Sequence, residues 1–208
     1  AISGGKANRI ITATTSRYQA KSGIMLMRMP GARHLRMPTI NSMAAAIAAT
    51  SMKQIAARAG VSVGAVYHHF PSYDDAIRAC GQHTLETAPP PGPDIFDGVS
   101  AVPARLRCLA RAVFAWYARV AAFERVRCDQ HGLPVLRQFV ADEERNRLVL
   151  TREALRPARI AETRVAVAAA LLDVAVFRAL ARAGFTTEDA ADEVARVIAA
   201  ALPGAPPS

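Results

Sequence analysis

The chain has 208 residues, 51% of them apolar and 21% charged, which excludes a disordered protein and allows one large domain or two small ones. Its three cysteines, Cys80, Cys108 and Cys128, are too few and odd in number for a disulfide framework, and the sequence has no Cys-x-x-Cys motif and no Cys/His pair at the spacing of a zinc site. They are typical of a reducing cytoplasm, where we expect the protein to act. The longest apolar run, residues 165–177, contains Asp173 and is too short to span a bilayer, so we expect no membrane partner.

The formal net charge of +9 is concentrated at the N-terminal end. Residues 1–80 hold ten basic and two acidic residues, whereas residues 81–208 hold sixteen basic and fifteen acidic ones. This separation is typical of a protein that meets a polyanion at one end only.

Residues 1–36 contain seven basic residues, no acidic ones and no sustained periodicity. They lack the amphipathic stripe of a transit peptide and the apolar region of a secretory signal. We therefore predict a basic, disordered extension.

Helices are predicted in the remaining chain from caps and apolar spacing. In the first part they cover residues 39–49, 51–59, 62–70 and 72–87, and the proline-rich residues 88–94 predict an extended connector. In the second part they cover residues 102–123, 133–156, 161–183 and 187–202. The last of these has Val194, Val197, Ile198 and Ala201 on one face. No stretch alternates with period two for long enough to predict a strand, so the predicted fold class is all-α.

The segment 51–70 has the pattern of a helix-turn-helix. Gly60 provides the permissive backbone of the turn, and Ser62 is a helix N-cap. Ile55 on the first helix and Val66 and Phe70 on the second are predicted to face inward. The second helix would then lie in a major groove of DNA.

The opposite face of residues 62–70 is predicted to contact DNA. Gly64 permits close approach to a phosphate, and Ser62 at the helix N-terminus is itself a phosphate site. Tyr67 and His69 are expected to donate hydrogen bonds to oxygens of the DNA backbone. Val63 or Ala65 is expected to contact a thymine methyl group.

The run IAARAGVSVGAVYHHFPSYDDAI, residues 55–77, resembles the DNA-binding domain of the tetracycline-repressor (TetR/AcrR) family. The last helix, within residues 185–202, also resembles that of many members. Two features depart from the family: the first helix is poor in large apolar residues, and Tyr73 stands where a phosphate-binding lysine is usual. The predicted DNA-binding residues are Thr50, Ser51, Ser62, Val63, Gly64, Ala65, Tyr67, His68, His69 and Tyr73.

The resemblance implies a domain at 37–88 that binds DNA and a domain at 89–208 that binds a ligand and dimerises. The two helices at 161–183 and 187–202 would form a four-helix bundle in a homodimer. Candidate ligand-binding residues are Trp116, Tyr117, Phe139, Asp173 and Phe177. Asp173, inside an apolar helix, is expected to pair with an arginine such as Arg137, to meet a ligand, or to lie at the wet edge of an interface.

These observations predict a bacterial transcriptional regulator, a repressor that a small molecule releases from a palindromic operator in double-stranded DNA. The alternative is a protein of the same fold that binds ligands or partners and has lost specific DNA binding. No catalytic motif appears, so an enzyme is not expected, and no cofactor is implied. Adjacent His68 and His69 point about 100° apart on a helix and make a poor metal site.

Overall fold

The structure, a computed structural model, describes residues 24–29, 32–38 and 47–202. The chain divides into two units, Ala1–His83 and Thr84–Ser208. The division falls a few residues before the predicted boundary at 88/89.

The first described elements are two antiparallel strands, β1 (Ile24–Met29) and β2 (Ala32–Pro38). Leu26 lies opposite Arg36, and the register is irregular between Met27 and Met29. These strands differ from the prediction that no stretch of the chain forms a strand, whereas the disordered extension predicted for residues 1–36 stays a prediction. The sequence signal was the Pro30-Gly31 pair between two short runs, and the methionine-rich composition of the first run obscured its alternation.

Three helices follow in the first unit, after a 3-10 helix at Ile47–Ala49. They are α1 (Met52–Ala59), α2 (Val63–His69) and α3 (Tyr73–Thr87), close to the predicted bounds. Of the predicted helix 39–49, residues 39–46 lie outside the described part of the chain. β2 and α2 both lie against α1.

The second unit contains six helices among its described residues. They are α4 (Val102–Arg119), α5 (Phe123–Asp129), α6 (Pro134–Leu155), α7 (Glu162–Leu171), α8 (Val174–Arg182) and α9 (Thr187–Ala200). Apart from the two strands, the described elements of both units are helices, which confirms the predicted all-α fold class. The core is apolar side chains of α4, α6, α8 and α9, with Leu109, Phe114, Tyr117 and Leu136 completely buried.

Two predicted helices are broken in the structure. The helix predicted at 102–123 ends at Arg119, and α5 begins at Phe123. The helix predicted at 161–183 is interrupted at Leu172 and Asp173, and Asp173 is the N-cap of α8. α9 begins at Thr187 as predicted, but its N-cap is the preceding residue, Thr186.

The predicted connector 88–94 is only partly extended. A 3-10 helix covers Pro93–Phe96, and Phe96 is buried. The carbonyl of Ala88 accepts a hydrogen bond from Trp116 Nε1 at 2.9 Å, and that of Pro91 accepts one from Asn146 at 3.2 Å. These bonds hold the connector against α4 and α6 within the second unit.

Candidate DNA-binding surface

The N-terminus of α1 is held by a capping box. Gln54 N–H donates to Ser51 Oγ at 3.3 Å, and Ser51 N–H donates to Gln54 Oε1 at 2.8 Å. The two bonds satisfy backbone groups that a helix start leaves unpaired. Met52, Ile55 and Ala56 are buried, so α1 is fixed both by its cap and by its apolar face.

The turn between α1 and α2 depends on Gly60. Its φ is +68°, in the left-handed region, and its N–H and that of Val61 donate to the carbonyls of Ala57 and Ala56. No atom lies within 4 Å of where a Cβ on Gly60 would be, so the requirement for glycine comes from the backbone angle rather than from space.

The second helix of the motif begins as predicted. Ser62 is its N-cap and accepts a hydrogen bond from Ala65 N–H at 3.1 Å. Val66 and Phe70 are buried, which confirms the predicted inward face.

The other face of α2 is exposed. Tyr67 is 50% exposed, Val63 is 37% exposed, and Gly64 and His68 are exposed as well. The structure therefore leaves Val63, Gly64, Tyr67 and His68, four of the ten residues predicted to contact DNA, exposed on α2.

The packing and the backbone angles of α2 do not require a glycine at residue 64. A Cβ on Gly64 would have only Ser62 Oγ near it, at 3.9 Å, and the backbone is helical. Glycine in a helix costs roughly 0.5–1 kcal/mol relative to alanine. A partner that approaches the backbone of α2 closely would explain this residue.

His68 and His69 end α2, with their rings edge to face and their centroids 4.9 Å apart. The pKa of His69 is lowered, first by partial burial and second by the charge of the neighbouring His68. Among the residues that the structure describes, no group of three histidine, cysteine or acidic side chains is placed to hold a metal ion.

Tyr73 begins α3, and its side chain reaches the 3-10 helix that precedes α1. Its hydroxyl donates a 2.6 Å hydrogen bond to the carbonyl of Ile47, which also accepts from Thr50 N–H at 3.0 Å. The hydroxyl proton is thus used within the protein, and a bond from it to a phosphate would have to replace the bond to Ile47. The predicted DNA contacts of Thr50 and Tyr73 stay predictions.

The predicted ligand-binding residues lie in the second unit. Trp116, Tyr117 and Phe177 are buried in one aromatic cluster, which Phe114 and Phe123 complete with ring centroids 5.1–6.4 Å apart. Phe139, on α6, is half-buried and is not among the rings in contact in this cluster.

Asp173 is part of a charged cluster beside these rings. Its carboxylate accepts from Arg147 at 3.0 Å and forms an ion pair with Arg127, so the suggested partner Arg137 was wrong. Arg147 Nε donates to Glu143 Oε1 at 2.9 Å, and Glu143 accepts from the Tyr117 hydroxyl. The cluster therefore joins Tyr117 to Asp173, two of the predicted residues.

Two groups of this cluster, Arg147 and Tyr117, have shifted pKa values. Burial opposes the charge of Arg147, but its hydrogen bond to Glu143 and the charges of Glu143, Tyr117 and Asp173 together outweigh this effect and raise the pKa of Arg147. Burial and the Glu143 carboxylate raise the pKa of Tyr117, which keeps the hydroxyl protonated. Glu143, Arg147 and Arg127 were missed by sequence analysis, although Glu143 and Arg147 have the i,i+4 spacing of an ion pair on a helix.

The capped α1, the Gly60 turn and the exposed face of α2 define a helix-turn-helix domain that binds DNA, placed before an all-helical second unit. Residues 44–80 match the family model described as "Bacterial regulatory proteins, tetR family". This match covers the helix-turn-helix and supports a transcriptional regulator of the tetR family. No curated protein matches the chain. In the part of the chain that the structure describes, no helix is both long and apolar enough to cross a membrane.

Proposed function

We propose that the protein is a repressor that binds a palindromic operator as a homodimer in the bacterial cytoplasm and is released by a small molecule. The observation that carries the proposal is the exposed face of α2, where Val63, Gly64, Tyr67 and His68 lie together on a capped, well-packed helix. This face has the mixture of apolar and hydrogen-bonding groups suited to base edges and phosphates in a major groove.

The dimer would place two copies of α2 in successive major grooves, about one helical turn (~34 Å) or a multiple of it apart. A small molecule that changes the spacing of the two copies would lower operator affinity, with a coupling of about 1–3 kcal/mol. We propose that it binds at or near Trp116, Tyr117, Phe139, Asp173 and Phe177. The buried rings and the neighbouring charged cluster support this location because they offer both apolar area and oriented polar groups.

Selection from a random pool of DNA duplexes tests the DNA-binding part of the proposal. We expect the full chain to enrich a palindrome and to bind it at least about 1,000-fold more tightly than a mixed-sequence duplex. The variant Tyr67→Ala should lose most of this preference, whereas Tyr18→Ala, a substitution of the same kind outside the motif, should retain it. If no sequence is enriched, the protein has lost specific recognition and the alternative of a ligand-binding or interaction protein holds.

The release of DNA by a ligand is tested through Trp116, the single tryptophan of the chain. A small molecule that dissociates the selected duplex should also change tryptophan fluorescence, since we place its site beside this ring. Compounds that dissociate the duplex in a Phe177→Ala variant as well as in the parent would place the site elsewhere.

A further inference from the structure

Two adjacent histidines are the side chains of α2 that can become positively charged. The helix, Val63–His69, contains no lysine, arginine or acidic residue, and His68 and His69 are both exposed at its end. Imidazole is the side chain whose ordinary pKa, about 6.5, lies closest to neutral pH. The positive charge of the helix that we place in the major groove therefore depends on how many protons this pair holds.

The rest of the helix-turn-helix unit carries little charge. In residues 47–83 the charged side chains other than histidine are three basic and two acidic ones: Lys53, Arg58, Arg78, Asp74 and Asp75. Their formal net charge is +1, and a proton on each of His68 and His69 would raise it to +3. This change is large for a DNA-binding surface, because contacts with phosphates supply much of the affinity of proteins for DNA.

The elements next to α2 carry ionisable groups of both signs. α1 lies against α2 and contributes two exposed cations, Lys53 and Arg58. The ionisable residues of α3 within this unit are Tyr73, Asp74, Asp75, Arg78, Cys80 and His83. Of the two carboxylates, that of Asp75 pairs with Arg78 at 3.2 Å and is thereby neutralised within α3.

The two imidazoles oppose each other's protonation. Their ring centroids are 4.9 Å apart, so a charge on one ring disfavours a charge on the other. Burial and, second, the charge of His68 lower the pKa of His69, whereas neither carboxylate of α3 contributes to this shift. The free protein therefore holds fewer than two protons on the pair near neutral pH. A DNA phosphate beside the rings would offset the repulsion, and the pair would then take up protons as the complex forms.

We propose that His68 and His69 couple DNA binding to pH, so that the complex forms with proton uptake by this pair and becomes tighter as the solution becomes more acidic. The inference rests on the proposed DNA binding and adds a regulation of it. The sign follows from linkage, because protons that the bound state holds and the free state lacks favour the bound state at lower pH. Each unit by which DNA raises the pKa of one imidazole adds up to about tenfold to the affinity at acidic pH.

Fluorescence anisotropy with a mixed-sequence duplex of about 30 base pairs tests the coupling without knowledge of the operator. At constant ionic strength we expect the parent chain to bind at least about tenfold more tightly at about pH 6 than at about pH 8. The variant His68→Gln, His69→Gln removes both titrating groups and should show less than about a twofold difference. The variant His68→Lys, His69→Lys is charged at both pH values, so it should also lose the dependence and should bind more tightly at about pH 8 than the glutamine variant.

A third histidine provides the matched control. His131 is exposed between α5 and α6 in the second unit, and His131→Gln should retain the tenfold change of the parent. Far-ultraviolet circular dichroism at both pH values measures folding, which we expect all variants to keep because the three replaced side chains are exposed.

The outcomes distinguish this inference from the proposed function. A parent chain that enriches a palindrome but binds DNA equally at both pH values overturns the coupling and leaves the operator proposal intact. A glutamine variant that keeps the tenfold change assigns the effect to other groups and also overturns the inference, as does its loss in His131→Gln. Failure to enrich any sequence, with a tenfold change that only the variants of the pair lose, would overturn the operator proposal and support the coupling.

Discussion

Gly64 lies on the exposed face of α2 at a position where the fold leaves room for a side chain. We predict that Gly64→Ala raises the free energy of unfolding by about 0.5–1 kcal/mol, because alanine is the better helix former. The same variant should weaken binding to the selected duplex at least about tenfold, since the added methyl group would keep the backbone away from DNA. Urea denaturation and fluorescence anisotropy measure the two effects.

A matched glycine replacement controls for this result. Gly132 is exposed, in a turn of the second unit, and its Cβ would find its nearest neighbour at 3.8 Å. Gly132→Ala should leave DNA affinity unchanged. If Gly64→Ala binds DNA as tightly as the parent, the DNA backbone does not approach α2 at this residue.

Tyr73 connects the start of α3 to the turn before α1 through its bond to Ile47. We predict that Tyr73→Phe, which removes only the hydroxyl, lowers the free energy of unfolding by about 1 kcal/mol and increases amide exchange around Thr50. A lysine at residue 73, which the family pattern favours as a phosphate contact, would lose this bond and the ring. We therefore expect Tyr73→Lys to fold less stably than Tyr73→Phe.

Stability and DNA affinity together identify what the Tyr73 hydroxyl contacts. A Tyr73→Phe variant that binds DNA more weakly but unfolds like the parent would show that the hydroxyl contacts a phosphate rather than Ile47. Tyr67→Phe is the comparison, because Tyr67 is 50% exposed and its loss of a hydroxyl should leave the free energy of unfolding nearly unchanged.

At the scale of elements, the break between α7 and α8 depends on Asp173. It caps α8 by accepting from Ala175 N–H at 2.8 Å and also receives Arg147 and Arg127. We predict that Asp173→Ala lowers the free energy of unfolding by about 3 kcal/mol. The largely buried Arg127 and Arg147 would lose the carboxylate of Asp173, and α8 would lose its N-cap. Asp173→Asn should lower the free energy of unfolding by about 1 kcal/mol less than Asp173→Ala does, since asparagine can still cap α8.

The readout is urea denaturation followed by the fluorescence of Trp116, which lies in the same unit. A surface ion pair serves as control: Asp192 pairs with Arg111 at 2.6 Å, both largely exposed, and Asp192→Ala should cost no more than about 1 kcal/mol. An equal cost for Asp173→Ala and Asp192→Ala would mean that the buried cluster does not stabilise the break.

A helix boundary can be predicted from the sequence when the residues that define it lie close to it along the chain. α1 and α2 were predictable because Ser51, Gly60 and Ser62 lie within a few residues of the helix ends that they define. The break at Asp173 was not, because the arginines that hold it come from α5 and α6, 46 and 26 residues earlier in the chain. The exposed face of α2 followed from apolar spacing, whereas the burial of Tyr117 against Glu143 depended on how α4 and α6 pack.

At the scale of the whole molecule, the proposed homodimer needs an apolar surface that one chain leaves open. Val167 on α7 is 58% exposed and Val197 on α9 is 43% exposed, and these two helices contact each other. Val197 was predicted on one apolar face of its helix with Val194, Ile198 and Ala201, and of these Val194 and Ile198 are buried. Exposed valines on adjacent helices support an interface there with a second copy of the chain.

We predict that Val167→Asp combined with Val197→Asp converts the dimer to a monomer, because four carboxylates would be buried in the paired interface. Light scattering after size-exclusion chromatography measures the mass, and affinity for the selected palindrome should fall at least about 100-fold as the two half-sites are no longer bound together. Val149→Asp, at a valine on α6 that is 51% exposed, is the matched control and should remain dimeric. A double variant that is still a dimer would place the interface on another face, and a monomeric Val149→Asp would extend it to α6.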